Sequence, residues 1–247
     1  DEYTEAQTRE LIIDVMLREA GWNPKGANVE EYEVKNCMPT ASGERTGTGY
    51  VDYVLWGSNG KPLALVEAKK TRKDPKIGKR QAELYADCLE KQFGQRPIIY
   101  YSNGYTTWKW DDTFYPPREV QGFATKDELQ WQLNQRTSRA DLTAIKPNTD
   151  IAGRHYQQEA AARVMEHFDK DRKRKALIVM ATGTGKTRIS ISMVDMLMRA
   201  NWARKVLFLA DRRSLVTQAK RQFTAHAPNY SCVSLLEKST HQDLKPK

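Results

Sequence analysis

The stretch VDYVLWGSNGKPLALVEAKK, residues 51–70, constrains the fold more than any other part of the chain. Two apolar runs rich in Val and Leu flank the turn signal Gly57-Ser58-Asn59-Gly60, so the segment reads as a β-hairpin. Side chains alternate faces along a strand, which puts Leu63, Leu65, Glu67 and Lys69 on one face and Ala64, Val66 and Ala68 on the other. Asp52 lies on the partner strand and can approach Glu67 across the ladder. Two carboxylates and an ammonium would then meet at one end of an apolar sheet. Burial of that kind is costly unless the charges pair or bind a cation. Mg²⁺ favours oxygen ligands and keeps waters of its own, so Asp52 and Glu67 are candidate metal ligands. Lys69 could orient a metal-bound water or neutralise developing phosphate charge, which is the logic of phosphodiester hydrolysis. The plain alternative is a strand end closed by a surface salt bridge.

Around the hairpin the chain reads as an α/β unit. TEAQTRELIIDVMLREAGW is a helix capped by Thr4 and ended by Gly21, with Leu11, Ile12, Val15, Met16 and Ala20 at helical spacing. Strands are expected near residues 29–35, 50–56 and 62–69. PKIGKRQAELYADCLEKQFG is a helix closed by Gly94, and RPIIYYSNG and YTTWKWDD read as two further strands. TKDELQWQLNQR carries a capping box from Thr125 to Glu128. An irregular connector follows from about Ser138 to Gly153.

Beyond it the rhythm changes. Helix HYQQEAAARVMEHFDK, strand ALIVM, helix KTRISISMVDMLMRA, strand KVLFLA, helix RRSLVTQAKRQF and strand SCVSLL alternate as in parallel βαβ units. Between the strand ALIVM and its helix lies Ala181-Thr182-Gly183-Thr184-Gly185-Lys186-Thr187. Backbone N–H groups of such a glycine loop wrap phosphate oxygens, Lys186 reaches the β/γ-phosphates of ATP, and the Thr187 hydroxyl joins the shell of Mg²⁺. The strict GxxxxGK[ST] form would place Gly where Met180 stands.

Charge follows the same division. Residues 1–145 hold 20 Lys+Arg against 22 Asp+Glu, a balance of −2, and residues 146–247 hold 20 against 9, a balance of +11. A basic half suits a polyanionic partner, nucleic acid or nucleotide. No run of about 18 apolar residues suggests a membrane span. Cys37, Cys88 and Cys232 form no CxxC pair and are odd in number, which suits reduced thiols in a cytoplasm and argues against a disulfide framework or structural zinc.

Asp52 followed by Glu67-Ala68-Lys69 resembles the PD-(D/E)xK nuclease signature, with Val51 in place of its Pro. Gln81-x-x-x-Tyr85, on the helix after the ExK strand, resembles the QxxxY element of the RecB-like branch, which implies that both residues support the active site and contact DNA. A helix 1 carboxylate sometimes joins such sites; Glu5 and Glu10 are both candidates. The glycine loop and its surroundings are similar to superfamily-two helicases. There Gln157 matches the glutamine that reads adenine, with Gln158 a rival, and Arg212 and Arg213 fall in a motif that contacts the nucleic-acid backbone.

In this order the two halves resemble the restriction (R) subunit of type I restriction-modification enzymes. That resemblance implies a PD-(D/E)xK domain over residues 1–143, a connector over 144–153 and the start of a RecA-like helicase lobe over 154–247. It further implies Mg²⁺ and ATP as cofactors, double-stranded DNA as substrate, and methyltransferase and specificity subunits as partners. No DExx box follows residue 187, so the chain is expected to stop inside the first motor lobe and not to translocate by itself. The competing readings are a non-catalytic nucleic-acid or nucleotide-binding module and an RNA helicase with an accessory domain.

Overall fold

A computed structural model describes residues 3–236. The chain divides into two compact units, Asp1–Thr137 and Ser138–Lys247.

The first unit is built on a six-stranded sheet whose spatial order follows the chain: β1 (Glu30–Met38), β2 (Gly47–Trp56), β3 (Pro62–Ala68), β4 (Ile98–Ser102), β5 (Thr107–Trp110) and β6 (Arg118–Val120). Every neighbouring pair is antiparallel except β3 and β4. A parallel pair needs a crossover, and α3 (Lys79–Phe93) supplies it after a 3₁₀ turn over Pro75–Gly78. Gly94, at φ +66°, ends α3 in the left-handed conformation that glycine adopts without penalty. β3 is buried along its whole length, as a central strand covered on both faces must be.

Each face of the sheet carries its own core. Val51, Leu65, Ile99 and Tyr101 pack against Ala82, Tyr85, Ala86 and Leu89 of α3. Tyr53, Leu55, Ala64, Val66, Ile98 and Tyr100 pack on the opposite face against Ile13 and Leu17 near the N-terminus and Leu129 and Leu133 of α4 (Lys126–Ser138). The capping box expected for α4 forms: Thr125 N–H donates to Glu128 and Glu128 N–H to the Thr125 hydroxyl. β6, three residues long, carries no periodic apolar signal by which its sequence would predict a strand.

Two sequence expectations fail here for physical reasons. The N-terminal helix is three pieces: α1 (Glu5–Thr8), a π turn over Arg9–Ile13, and α2 (Asp14–Glu19). A π turn inserts an extra residue and rotates everything beyond it. The buried positions are therefore Thr8, Ile13, Asp14 and Leu17, while Leu11 and Val15 are 52% and 42% exposed. The second concerns the thiols. Cys37 on β1 and Cys88 on α3 form a disulfide, with Cα atoms 5.4 Å apart, where reduced cysteines were expected. Spacing along the chain cannot reveal a pairing made by strand and helix packing; Cys232 remains free.

The second unit contains α5 (His155–Asp169), α6 (Lys186–Arg199) and α7 (Arg213–His226). Ala161, Val164, Met165, Met196 and Ala200 form its main core between α5 and α6, and Ile151, Ile191 and Ala227 form a smaller one. Among the described residues the parallel βαβ sheet expected here is not present. Residues 176–180, 205–210 and 231–236 make no strand ladder, and Leu177 and Val179 are 88% and 87% exposed. Apolar composition marks a segment that could fill a sheet centre, but a strand exists only where neighbours satisfy its backbone groups. No described helix is long and apolar enough to cross a membrane.

The rotated helix face gives opposite outcomes for two leucines. Leu17→Ala, which empties a fully buried site, should cost about 2–5 kcal/mol in urea unfolding. Leu11→Ala should stay within about 0.5 kcal/mol. Equal costs would contradict the π turn.

Candidate active site

β2 and β3 bring the hairpin charges together as their register requires. Tyr53 pairs with Val66 and Val54 with Leu65, and continuing that register by one residue sets Asp52 opposite Glu67. Asp52 Oδ2 accepts a 2.7 Å bond from the Ala68 N–H, which fixes the carboxylate against the end of β3. Lys69 Nζ donates to Glu67 Oε1 at 2.5 Å. Gly78, in the turn before α3, lies over this pair: a Cβ there would stand 3.1 Å from both Glu67 Cγ and Lys69 Cε. The site is therefore roofed by backbone.

The QxxxY pair joins the same network. Gln81 and Tyr85, one turn apart on α3, are linked by a 3.0 Å bond from Gln81 Nε2 to the Tyr85 hydroxyl. Lys69 Nζ reaches Gln81 Oε1 at 3.5 Å. Tyr85 comes this close because Gly49 faces it from β2; a Cβ at Gly49 would sit 2.7 Å from Tyr85 Cε1. Gln81 thus steadies the lysine, and Tyr85 steadies Gln81.

The electrostatics show how strongly the fold compresses these charges. Burial, then the field of Asp52, pushes the Glu67 carboxyl up to about 8, with Glu5 adding to the rise. Lys69 pulls the other way, through its hydrogen bond and its charge, and is outweighed. Burial also raises Asp52, against the Ala68 N–H and Arg9, which lower it. For Lys69 burial disfavours the ammonium, but Glu67, Glu5 and Asp52 raise its pKa overall. Glu5 acts on all three groups, so of the two helix 1 candidates it is Glu5 that faces the cluster.

These residues fit a hard divalent cation. Glu67 is 2% exposed, and its Oε2 is buried with no hydrogen-bond partner. A carboxylate oxygen left without a donor is costly, and a cation removes that cost. Ionising Glu67 at pH 7 costs only about 1.4 kcal/mol, one unit below its pKa, which a dication between two carboxylates readily offsets. Among the described residues there is no set of three or more His, Cys, Asp or Glu side chains placed to hold a metal ion. One or two carboxylates with waters and substrate phosphate is the usual Mg²⁺ arrangement. Asp52 and Glu67 would supply the protein's share.

Arg9, Glu30 and Glu31 belong to no motif that points to this site. Arg9 donates to Asp52 Oδ1 at 3.2 Å, to Glu30 at 2.8 Å and to Glu31 at 3.0 Å. No spacing rule links residue 9 to residues 30, 31 and 52; only the packing of the π turn against β1 and β2 does.

In the second unit the glycine loop runs into α6. Gly183 and Gly185 adopt φ +77° and +91°, conformations that L side chains rarely take. The N-terminus of α6 has no side-chain cap, so its first N–H groups are available to an anion. Lys186 Nζ donates to the Ala181 carbonyl at 3.1 Å, and Thr184 Oγ1 to the same oxygen at 2.7 Å, so the loop closes on itself. Thr187 occupies the second position of α6. Gln157 is buried and donates to the Thr184 carbonyl at 2.9 Å, its amide lying where a Cβ on Gly185 would stand. Gln158, the rival, bonds the Ala152 carbonyl instead. Arg212 and Arg213 are exposed at the start of α7, apart from the loop's hydrogen bonds.

The family described as "Type III restriction enzyme, res subunit" matches residues 150–246. The chain is 29% identical to the type I restriction enzyme EcoKI endonuclease subunit of Escherichia coli (strain K12), over 86% of this chain and 23% of that protein. It is 28% identical to the EcoAI endonuclease subunit of Escherichia coli, over 88% of this chain and 28% of that protein. A solved fragment assigned to an HsdR subunit of a type I restriction enzyme from Vibrio vulnificus YJ016 is 28% identical, with TM-score 0.44, over 82% of this chain and 39% of that one. The chain spans about a quarter of the length of the curated relatives it matches. Its relatives are endonuclease (HsdR) subunits of type I restriction enzymes, and the chain is a homologue of them.

Proposed function

We propose that the first unit is a PD-(D/E)xK nuclease that hydrolyses phosphodiester bonds in double-stranded DNA, and that the second holds ATP for a DNA-translocating motor. The observation that carries the nuclease reading is the buried, unpartnered Glu67 Oε2 beside Asp52 and Lys69.

Asp52 and Glu67 would hold Mg²⁺, which when bound supplies Lewis acidity for the attacking water and the scissile phosphate. Lys69 orients that water and offsets the charge that grows on the phosphate oxygens. Gln81 keeps the ammonium aimed, and Tyr85 fixes Gln81. Glu5 adds negative charge at the same point, which favours the doubly charged ion. In the second unit the loop glycines and the uncapped α6 N-terminus would cradle phosphate, Lys186 would neutralise the β/γ-phosphates, and the Thr187 hydroxyl would be a ligand for Mg²⁺. Gln157 supports the loop through its bond to the Thr184 carbonyl, and would read adenine. Arg212 and Arg213 offer two exposed cations to a DNA backbone. A specificity subunit would supply recognition of the DNA sequence, with a methyltransferase subunit as a further partner, in the cytoplasm.

Plasmid nicking in Mg²⁺ tests the nuclease directly: Asp52→Ala and Lys69→Ala should each fall by about 10²-fold or more. Equal activity in all three proteins would remove the nuclease assignment. The pH dependence has a definite sign. Glu67 is raised from 4.5 to about 8, so between those values the folded chain holds a proton that the unfolded chain has lost. In ion-free buffer, stability should therefore decline as pH rises from 4.5 toward 8. Urea midpoints should show this decline, and Glu67→Gln should flatten it. For the second unit, Lys186→Ala should abolish binding of a fluorescent ATP analogue; retained binding would place the nucleotide elsewhere.

A further inference from the structure

Arg9 faces the candidate metal ligands from outside the D…ExK motif, and its surroundings assign it a role. Its guanidinium is shared between two sets of acids. Nη1 reaches Asp52 Oδ1 at 3.2 Å, while Nη2 holds Glu30 at 2.8 Å and Glu31 at 3.0 Å. The link to Asp52 is single and the longest of the three; the tether to β1 is double and shorter.

The backbone is bent to make that tether. Consecutive strand residues point to opposite faces, yet the carboxylates of Glu30 and Glu31 meet on one nitrogen. Glu31 manages this by adopting φ +50°, a left-handed conformation rare outside glycine and found where surrounding structure enforces it. The pairs on either side, Glu30 with Tyr53 and Tyr32 with Val51, set Glu31 across from Asp52. Glu31, Asp52 and Glu67 therefore form one lateral row across β1, β2 and β3, with Arg9 bridging the first two and Lys69 on the third. Arg9 is also the first residue of the π turn, a distortion that often accompanies functional sites. Its guanidinium lies 5.7 Å from the Tyr53 ring, whose hydroxyl is anchored on Asp14.

Asp52 Oδ2 is held by the Ala68 N–H, so Oδ1 is the oxygen that Arg9 and an incoming cation would both want. We propose that Arg9 is an electrostatic guard and positioning residue for the acid pair: it orients Asp52, opposes ion binding by its charge, and yields Oδ1 to a divalent ion by retreating onto Glu30 and Glu31. The proposal rests on the ion-binding reading of Asp52 and Glu67. A guanidinium one hydrogen bond from a metal ligand repels a dication at a distance where Coulomb energies are large even at high effective dielectric. Glu30 and Glu31 make the retreat favourable by keeping that charge paired.

Two variants should then move ion affinity in opposite directions. In isothermal titration of the whole chain with Mn²⁺, without DNA or nucleotide, the signal considered is the one lost in Asp52→Ala. Arg9→Gln keeps a hydrogen bond to Asp52 but removes the charge, and should tighten binding roughly tenfold. The double variant Glu30→Gln/Glu31→Gln removes the negative charges that draw the guanidinium away from Asp52, and should weaken binding by a similar factor. Arg9→Lys keeps the charge and should stay within about threefold of the parent, which covers the case of an unstable Arg9→Gln protein. A merely structural arginine would weaken binding in both of the first two variants, and that result, or no change in either, overturns the guard. If Asp52→Ala and Glu67→Ala leave the Mn²⁺ titration unaltered, the ion reading itself falls, and the guard with it.

Discussion

Everything at the candidate site follows from forcing Glu67 into the covered centre of a sheet next to a second carboxylate. β3 is buried throughout, so Glu67 has no water to solvate it, and Asp52 stands opposite on the adjacent strand. The fold answers with one ammonium, one guanidinium and one backbone N–H: Lys69 on Glu67, Arg9 and Ala68 on Asp52. One oxygen, Glu67 Oε2, is still left over. Buried charge is usually retained only where it is paired or bound to a metal. An arrangement that serves stability alone would have used apolar residues, which are often neutral or better at such positions. The unpartnered oxygen is the feature of the site that a bound cation would answer.

That logic also accounts for the second ring of residues. The lysine is useful only if its ammonium stays aimed, and the Gln81–Tyr85 pair on α3 provides the aim without adding charge. Gly49 and Gly78 matter for the same reason: one admits the Tyr85 ring, the other lets the turn close over Glu67 and Lys69. The Cys37–Cys88 bond joins β1 to the helix that bears Gln81 and Tyr85, so the strand carrying Glu30 and Glu31 and the helix steadying Lys69 are covalently tied.

The hairpin, its facing acids and the helix behind it were legible in the sequence because period-two alternation and a Gly-Ser-Asn-Gly turn act locally. The Gln81–Tyr85 pair was legible for a similar reason, since i and i+4 share a helix face. Arg9 was not, because its partners lie 21, 22 and 43 residues away and meet it only through tertiary packing. Regular periodicity cannot register an inserted π residue: the N-terminal helix buries Ile13 and Leu17 and leaves Leu11 and Val15 exposed. In the second unit the glycine loop runs into α6, but the flanking apolar runs make no ladder. A phosphate loop is encoded by a few contiguous residues, whereas a parallel sheet depends on partners far along the chain.

Asp52 and Glu67, pressed together where the β2–β3 pairing ends, are proposed to grip a divalent ion. Anomalous diffraction from crystals soaked in Mn²⁺ tests it most directly. The expected result is a peak within bonding distance of both carboxylates, with Glu67 Oε2 as a ligand. A map with no peak there, and Glu67 still bonded to Lys69 alone, would contradict it.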